Sequence, residues 1–432
     1  MRRFDQIEHG CLTDVGVKRS HNQDSFAIQL AVDDDGWRQR GHLFLVADGM
    51  GAHAVGEKAS EQAAHVIPHV YQKHAPLGAV VALRRSFVEA NATIHACGQQ
   101  NREFEGMGTT GTSLVLRPDG AWVGHVGDSR CYRIRGDLID QLSYDHSLVW
   151  EYARLQHIDP DEVEDIPSNV IHRCLGPEPL VQVDIEGPHP IEPGDIYLLC
   201  SDGLSGQVTD PEIGAVATVL PPSEACRFLI DLANLRGGPD NTTVIIVKIL
   251  SGADGDKGGA AVGKRSFPRP PWWVVSLVGG TVLALCATLL HQAALPTLAI
   301  GLFLLAVVAV LTGIVGLFVH YQREQKRQAN EDENRPTPKT HRRRPCKIDK
   351  PFLTRIIRAL ETLRQRATEG KWQLDWELCK EHQTAGEERV RAGDLPGAFR
   401  EYCRAMQPLM RAHHDRRGGG GGGFSPVWDK GR

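Results

Sequence analysis

The 432-residue sequence contains no C-x-x-C pair. Its ten cysteines (Cys11, Cys97, Cys131, Cys174, Cys200, Cys226, Cys286, Cys346, Cys379 and Cys403) stand singly. That spacing argues against zinc ribbons and thioredoxin-type redox sites. Scattered thiols suit a reducing cytosol, where they act mostly as small buried hydrophobes. Neither sign of charge dominates: the formal net charge is −4 and charged residues make up 24%. Nucleic acid is therefore not an expected partner. The N-terminal "MRRFDQIEHG" lacks the apolar core of a secretory signal. The longest absence lies between Pro271 and His320, where no Asp, Glu, Lys or Arg occurs.

That uncharged run splits at "HQAALP" into two apolar segments, 271–291 and 294–320, each long enough for a transmembrane helix. Lys264, Arg265 and Arg269 precede the pair, and Arg323, Lys326 and Arg327 follow it, while the connector has no cation. The positive-inside rule then places both flanking regions in the cytoplasm, on a two-pass anchor in the inner membrane.

Residues 1–250 read as one α+β domain. "GEKASEQAAHVIPHVYQ" and "RSFVEANATIHACG" have helical spacing. "TSLVLRPDGAWVGHVGDSRCYRIRGDLIDQLS" holds β-rich runs broken at Pro118-Asp119-Gly120 and Arg135-Gly136-Asp137, both hairpin signals. Helices followed by antiparallel hairpins favour stacked antiparallel sheets flanked by helices over a doubly wound parallel sheet. Residues 251–270 read as a Gly-rich basic linker and 321–350 as a disordered polar linker. Residues 351–416 read as helical. Their "AGDLPGA" turn is like a tetratricopeptide step, although one unit is too few for such an array and an ordinary helical bundle is the preferred account. Residues 417–432 form a low-complexity tail.

A recurring device carries the chemistry. "LFLVADGM" runs an apolar strand into Asp48 and Gly49, and "IYLLCSDGL" runs another into Asp202. "VGHVGDSR" sets Asp128 after a short apolar run, and "GPDNTTVIIV" sets Asp240 and Asn241 before one. One Asp-Gly pair is an ordinary turn. Four carboxylates at strand ends point to a convergent acidic site. Oxygen donors without a His or Cys cluster select hard cations such as Mg²⁺ or Mn²⁺, and such ions relieve the repulsion among the acids. A pair of them activates water for attack on phosphorus. "TDVGVKRSHNQDSF" supplies Arg19, a fork suited to phosphate oxygens, and Asp24.

In this order, "TDVGVKRSHNQDS", "VADGMGAHAVGEKAS", "GMGTTGTSLVL", "HVGDSRCYRI", "DHSLV", "NVIHRCLG", "LLCSDGL" and "GPDNTTVIIV" resemble the metal-dependent protein phosphatases of the 2C type, bacterial branch, over residues 11–249. The resemblance implies an αββα four-layer sandwich and hydrolysis of phosphoserine and phosphothreonine by metal-activated water, with two or three Mn²⁺ or Mg²⁺ ions. It implies that Asp48 bridges two metals, that Gly49 offers its carbonyl, and that Asp202 and Asp240 ligate the opposite ion. It further implies Asp128 at a third metal, Asp24 holding a metal-bound water, Asn241 orienting the site and Arg19 on the phosphate. Residues 145–175 take the place of a flap beside the cleft. Two positions depart from the family pattern: Gln23 replaces an acid and Ala52 a glycine. The expected partners are phosphoproteins made by serine/threonine kinases, the membrane, and a protein bound by the C-terminal helices. The rival reading is a catalytically weak sensor or scaffold signalling through those helices.

Overall fold

The computed structural model describes residues 7–51, 55–100, 102–104, 106–163, 165–167, 170–250, 272–292, 300–313, 316 and 338–417. Ala52 lies outside them. One antiparallel sheet holds, in spatial order, β1 (Ile7–Asp14), β11 (Thr242–Ile249), β10 (Ile196–Cys200), β7 (Arg130–Arg135), β8 (Leu138–Gln141) and β12 (Arg342–Pro345). The other holds β2 (Asp24–Gln29), β3 (His42–Met50), β5 (Gly111–Arg117), β6 (Gly120–Val126) and β9 (Asp184–His189), with β4 (Gly108–Thr109) beside β3.

The strand period of two explains why the central strands are apolar throughout. On β3, Phe44 and Val46 pack between the sheets against Tyr197, Leu199, Ile245 and Val247. Leu43, Leu45 and Ala47 point the other way, into a core with α2 (Val55–His74) and α3 (Ala79–Gln100). On β11, Val244 and Ile246 turn outward onto α6 (Asp210–Val219) and α7 (Pro222–Leu235). Both faces of the central strands are therefore buried, which gives the expected sandwich of two sheets between helices. Both expected hairpins are present, β5–β6 and β7–β8. They lie in opposite sheets, and the chain crosses between them at Gly127-Asp128.

The C-terminal region is helical: Lys350–Glu369, Trp376–Arg391 and Leu395–Arg417. The described residues up to 250 and from 338 onward form one compact unit. Phe352, Leu353, Ile356, Phe399, Tyr402 and Met406 share a core with Leu220, Phe228 and Leu229 of the α6–α7 layer. Arg400 Nε donates to the Val219 carbonyl at 2.7 Å, satisfying a terminal acceptor of α6. Arg404 pairs with Glu224 at 2.9 Å. The stretch 321–350, read as a disordered linker, contains β12.

Among the described residues the expected transmembrane hairpin is not found: none of their helices is long and apolar enough to cross a membrane. Helix is described over Trp272–Gln292 and over 300–313. Residues 294–299, 314, 315 and 317–320 of the second expected segment lie outside the described residues. These helices form a unit of their own, in which Gly280 lies close against Ala306 and Val310.

Candidate active site

The site is assembled at one end of the sandwich. Asp24 opens β2 and Asp48 stands near the end of β3, directly opposite it in register. Asp202 begins the short α5 (Asp202–Ser205) two residues after β10. Asp240 stands two residues before β11. Asp128 sits where the chain crosses from β6 to β7. Strand ends are rigid, because each carboxylate follows or precedes a buried run.

Several short bonds fix these acids. The Asp48 amide donates to Thr110 Oγ1 at 2.9 Å, and its carbonyl accepts from the Thr110 amide at 2.8 Å and Thr109 Oγ1 at 2.9 Å. Asp24 Oδ2 accepts from Ser201 Oγ and Thr243 Oγ1, each at 2.7 Å, which ties β2 to the opposite sheet. Asn241 Nδ2 donates to the Val15 and His21 carbonyls at 2.9 Å, and its Oδ1 accepts from the Gln23 amide at 2.8 Å. It thereby holds the loop carrying Arg19. Arg19 Nη2 reaches Asp240 Oδ2 at 2.7 Å while its side chain stays 50% exposed. At Gly49 a Cβ would lie 2.1 Å from the Gly56 carbonyl oxygen, so only glycine fits there. Gln23, in place of the family acid, puts Nε2 3.4 Å from the Gly51 carbonyl.

The acids disturb one another. Burial, then Asp202 and Asp240, pushes the Asp24 carboxyl up to about 7 against the hydrogen bonds from Thr243 and Ser201. Burial and the neighbouring Asp24, Asp202, Asp128 and Asp240 hold Asp48 well above the carboxylate range. Asp128 is raised well above it by burial, Asp202 and Asp145, and Asp202 is raised by burial and Asp240. Asp24 Oδ1 and Asp202 Oδ1 are buried without a hydrogen-bond partner. Among the described residues no group of three or more His, Cys, Asp or Glu side chains is already gathered to hold a metal ion. The donor set nevertheless fits a hard divalent cation: carboxylate oxygens only, buried, partly unpartnered and mutually repelling.

A pH dependence follows. Each of these carboxyls ionises less readily in the folded than in the unfolded chain, so its contribution to stability is lost as pH rises towards its folded value. For each carboxyl still protonated, stability falls by about 1.4 kcal/mol per pH unit. The buried His125, pushed down to about 3, and His189, pushed down to about 4, act mainly below the ordinary histidine value. Asp24 loses its contribution as pH rises to about 7. In chelator the Asp24→Asn variant, which removes that loss, gains melting temperature relative to wild type as pH rises from about 5 to about 7. A difference between the two that stays constant over that range would contradict this.

The sequence reading had not singled out Ser201, Thr243, Thr109 or Thr110, which anchor Asp24 and Asp48. Their signal is a run of hydroxyl residues inside otherwise apolar strands. It also passed over Arg130, whose guanidinium pairs with Asp145 at 2.8 Å beside Asp128.

Comparison with known proteins agrees with this geometry. The family model "Protein phosphatase 2C" matches residues 17–231. Protein phosphatase PhpP of Streptococcus pneumoniae serotype 2 is 36% identical over 249 residues, covering 56% of this chain and 98% of that protein. Serine/threonine phosphatase stp of Listeria monocytogenes serovar 1/2a is 33% identical over 242 residues, covering 55% and 93%. The crystal structure of the Mycobacterium tuberculosis serine/threonine phosphatase PstP/Ppp matches with a TM-score of 0.50 at 31% identity, covering 57% of this chain and 99% of that one. The chain belongs to the protein phosphatase 2C family. It is a protein-serine/threonine phosphatase, a hydrolase whose cofactor is Mn²⁺ or Mg²⁺.

Proposed function

We propose that the cleft formed by Asp24, Asp48, Asp128, Asp202 and Asp240 is the catalytic centre acting on phosphoserine and phosphothreonine in phosphoproteins. The observation that carries this is the set of buried, partly unpartnered carboxylates at adjoining strand ends with Arg19 at their rim. When bound there, divalent ions would supply an activated water and offset developing negative charge. Asp48, Asp202 and Asp240 would hold the central ions, with the Gly49 carbonyl beside them, and Asp128 would serve a third. Asp24 would orient the activated water. Asn241 fixes the loop so that Arg19 can leave Asp240 and place its fork on the phosphate oxygens.

No thiol serves as nucleophile. Cys200, two residues before Asp202, is fully buried, which pushes its thiol far up and keeps it protonated. The full chain should hydrolyse a phosphothreonine peptide only with Mn²⁺ or Mg²⁺, and thiol-blocking reagents should spare the activity. Arg19→Ala should raise KM about tenfold and Arg19→Lys less, because the fork binds ground-state phosphate. A trapped phosphoenzyme, or wild-type kinetics in Arg19→Ala, would overturn these assignments.

We also propose that residues 271–320 hold the protein at the cytoplasmic face of the inner membrane, near substrates of serine/threonine kinases. The support is the uncharged run with cations on both outer flanks, together with the exposed apolar side chains of Val282, Leu285, Leu289, Leu304 and Leu311. Gln292→Cys in a background lacking Cys286 should be labelled by an impermeant maleimide on intact cells, and Gly255→Cys should not. Labelling at 255 would reverse the orientation.

A further inference from the structure

The strand β12 is "RRRP", and its side chains alternate. Arg343 turns to Asp140, at 2.6 and 3.1 Å, where Arg133 also binds. Arg342 and Arg344 share the other face. Arg342 bonds Asp210 Oδ2 at 2.6 Å and Asp161 Oδ1 at 2.8 Å, and its guanidinium lies 5.7 Å from the Trp150 ring centre. Arg344 pairs with Asp159 and, at 3.3 Å, with Asp161. Trp150 belongs to α4 (Leu148–Gln156), and Asp161 to the 3₁₀ turn Pro160–Glu162 that follows it, with Asp159 as that turn's N-cap.

These elements form a wall of the catalytic cleft. A cavity of about 230 Å³ is lined by Asp128 and Asp202 together with Val149, Trp150, Pro160 and Asp161. The acids touched by Arg342 and Arg344 thus lie on or beside a surface that a substrate must pass. Residues of β12 and of this wall are separated by about 180 positions in the chain, 181 for Arg342 and Asp161. The Arg342–Asp210 pair is closely buried, with side chains 7% and 6% exposed. Arg344 is more open, at 33%.

We propose that Arg342 and Arg344 are positioning residues of the phosphatase. The C-terminal strand holds the 148–162 wall against the acidic cleft and so determines how phosphopeptides, rather than small phosphate esters, are received. A small ester reaches the acidic floor without meeting the wall. A peptide must lay its flanking residues along it. The proposal rests on the phosphatase reading and adds to it a specificity element from outside the family-matched residues.

Arg344 offers the clean test, because Arg342→Ala would strand a buried Asp210 and could unfold the protein. Full-length Arg344→Glu, Arg344→Lys and Arg343→Gln are compared with wild type on a phosphothreonine peptide and on p-nitrophenyl phosphate with Mn²⁺. Amide hydrogen exchange is read in the same samples. Arg344→Glu should lower kcat/KM for the peptide about tenfold while p-nitrophenyl phosphate stays within about twofold. Exchange over 148–162 should quicken about tenfold, with β8 unchanged. Arg344→Lys should recover most of the peptide activity, and Arg343→Gln should match wild type throughout. Parallel loss on both substrates, unchanged exchange over 148–162, or equal effects of Arg343→Gln and Arg344→Glu would each overturn the proposal. If wild type turned over neither substrate, the phosphatase reading itself would fail, and unchanged exchange in Arg344→Glu would still refute the wall contact.

Discussion

Asp48→Asn leaves a folded protein whose turnover drops by about a thousandfold or more, and whose cation-free form melts higher than wild type at pH 8. Both effects share one cause. Asp48 lies among four other acids in a buried cleft, and its carboxyl is held well above the ordinary range by burial and by those neighbours. Removing its charge relieves that repulsion. It also removes a central donor to ions that carry the charge of the reaction, and losing a single preorganised electrostatic group already costs about 10²–10³ in rate. The amide side chain keeps the shape, and the bonds to Thr109 and Thr110 involve only the backbone of residue 48. Thermal melts in chelator and peptide turnover in Mn²⁺ check the pair of effects. Retained turnover would remove Asp48 from the site, and a lower melting temperature in chelator would show that the repulsion is not there to relieve.

Cutting the chain after residue 250 should lower the melting temperature by about 10 °C or more, or leave the catalytic part insoluble. The α6–α7 layer is buried by Phe352, Leu353, Ile356, Phe399, Tyr402 and Met406 from the C-terminal helices. Each large apolar side chain taken out of water contributes about 1.5–3 kcal/mol, and a whole domain is stable by only about 5–15 kcal/mol. Exposing even a few of the facing residues consumes that margin. The cut also bares the β8 edge and leaves Asp210 without Arg342. The pneumococcal PhpP, matched over 98% of its length by 249 residues, leaves no comparable length for such helices. Here the outer face is built to be covered. A fragment 1–250 as stable as the full chain would show the packing to be incidental.

The central architecture was legible because its signals are local. An apolar run that ends in Asp-Gly announces a buried strand with a carboxylate at its tip, and Pro118-Asp119-Gly120 announces a hairpin whatever the rest of the chain does. The acidic strand ends could therefore be read one by one. The strand β12 could not. "RRRP" has no apolar alternation, because its side chains find acids rather than a core, and its pairing partner Gln141 lies about 200 residues away. Three arginines and a proline between polar residues look like a solvated tether, and a proline is tolerated at a strand edge. The apolar run 271–320 was read by its lack of charge, which fixes neither where a helix starts nor how far it continues.

The edge position of β12 has a consequence for synthesis. Strand β8 emerges from the ribosome long before its neighbour exists: residues 138–141 are made roughly two hundred positions ahead of 342–345. At about 5–20 residues per second this interval lasts on the order of ten to forty seconds. For that time the nascent sheet presents an unpaired hydrogen-bonding edge, the feature through which chains join one another by mistake. Asp159 and Asp161, which later receive Arg344 and Arg342, meanwhile place negative charge beside that edge, while Asp140 is already held by Arg133 and Asp210 lies near Arg130. Asp159 and Asp161, which help dock the final strand, thus act earlier as a repellent between growing copies of the chain.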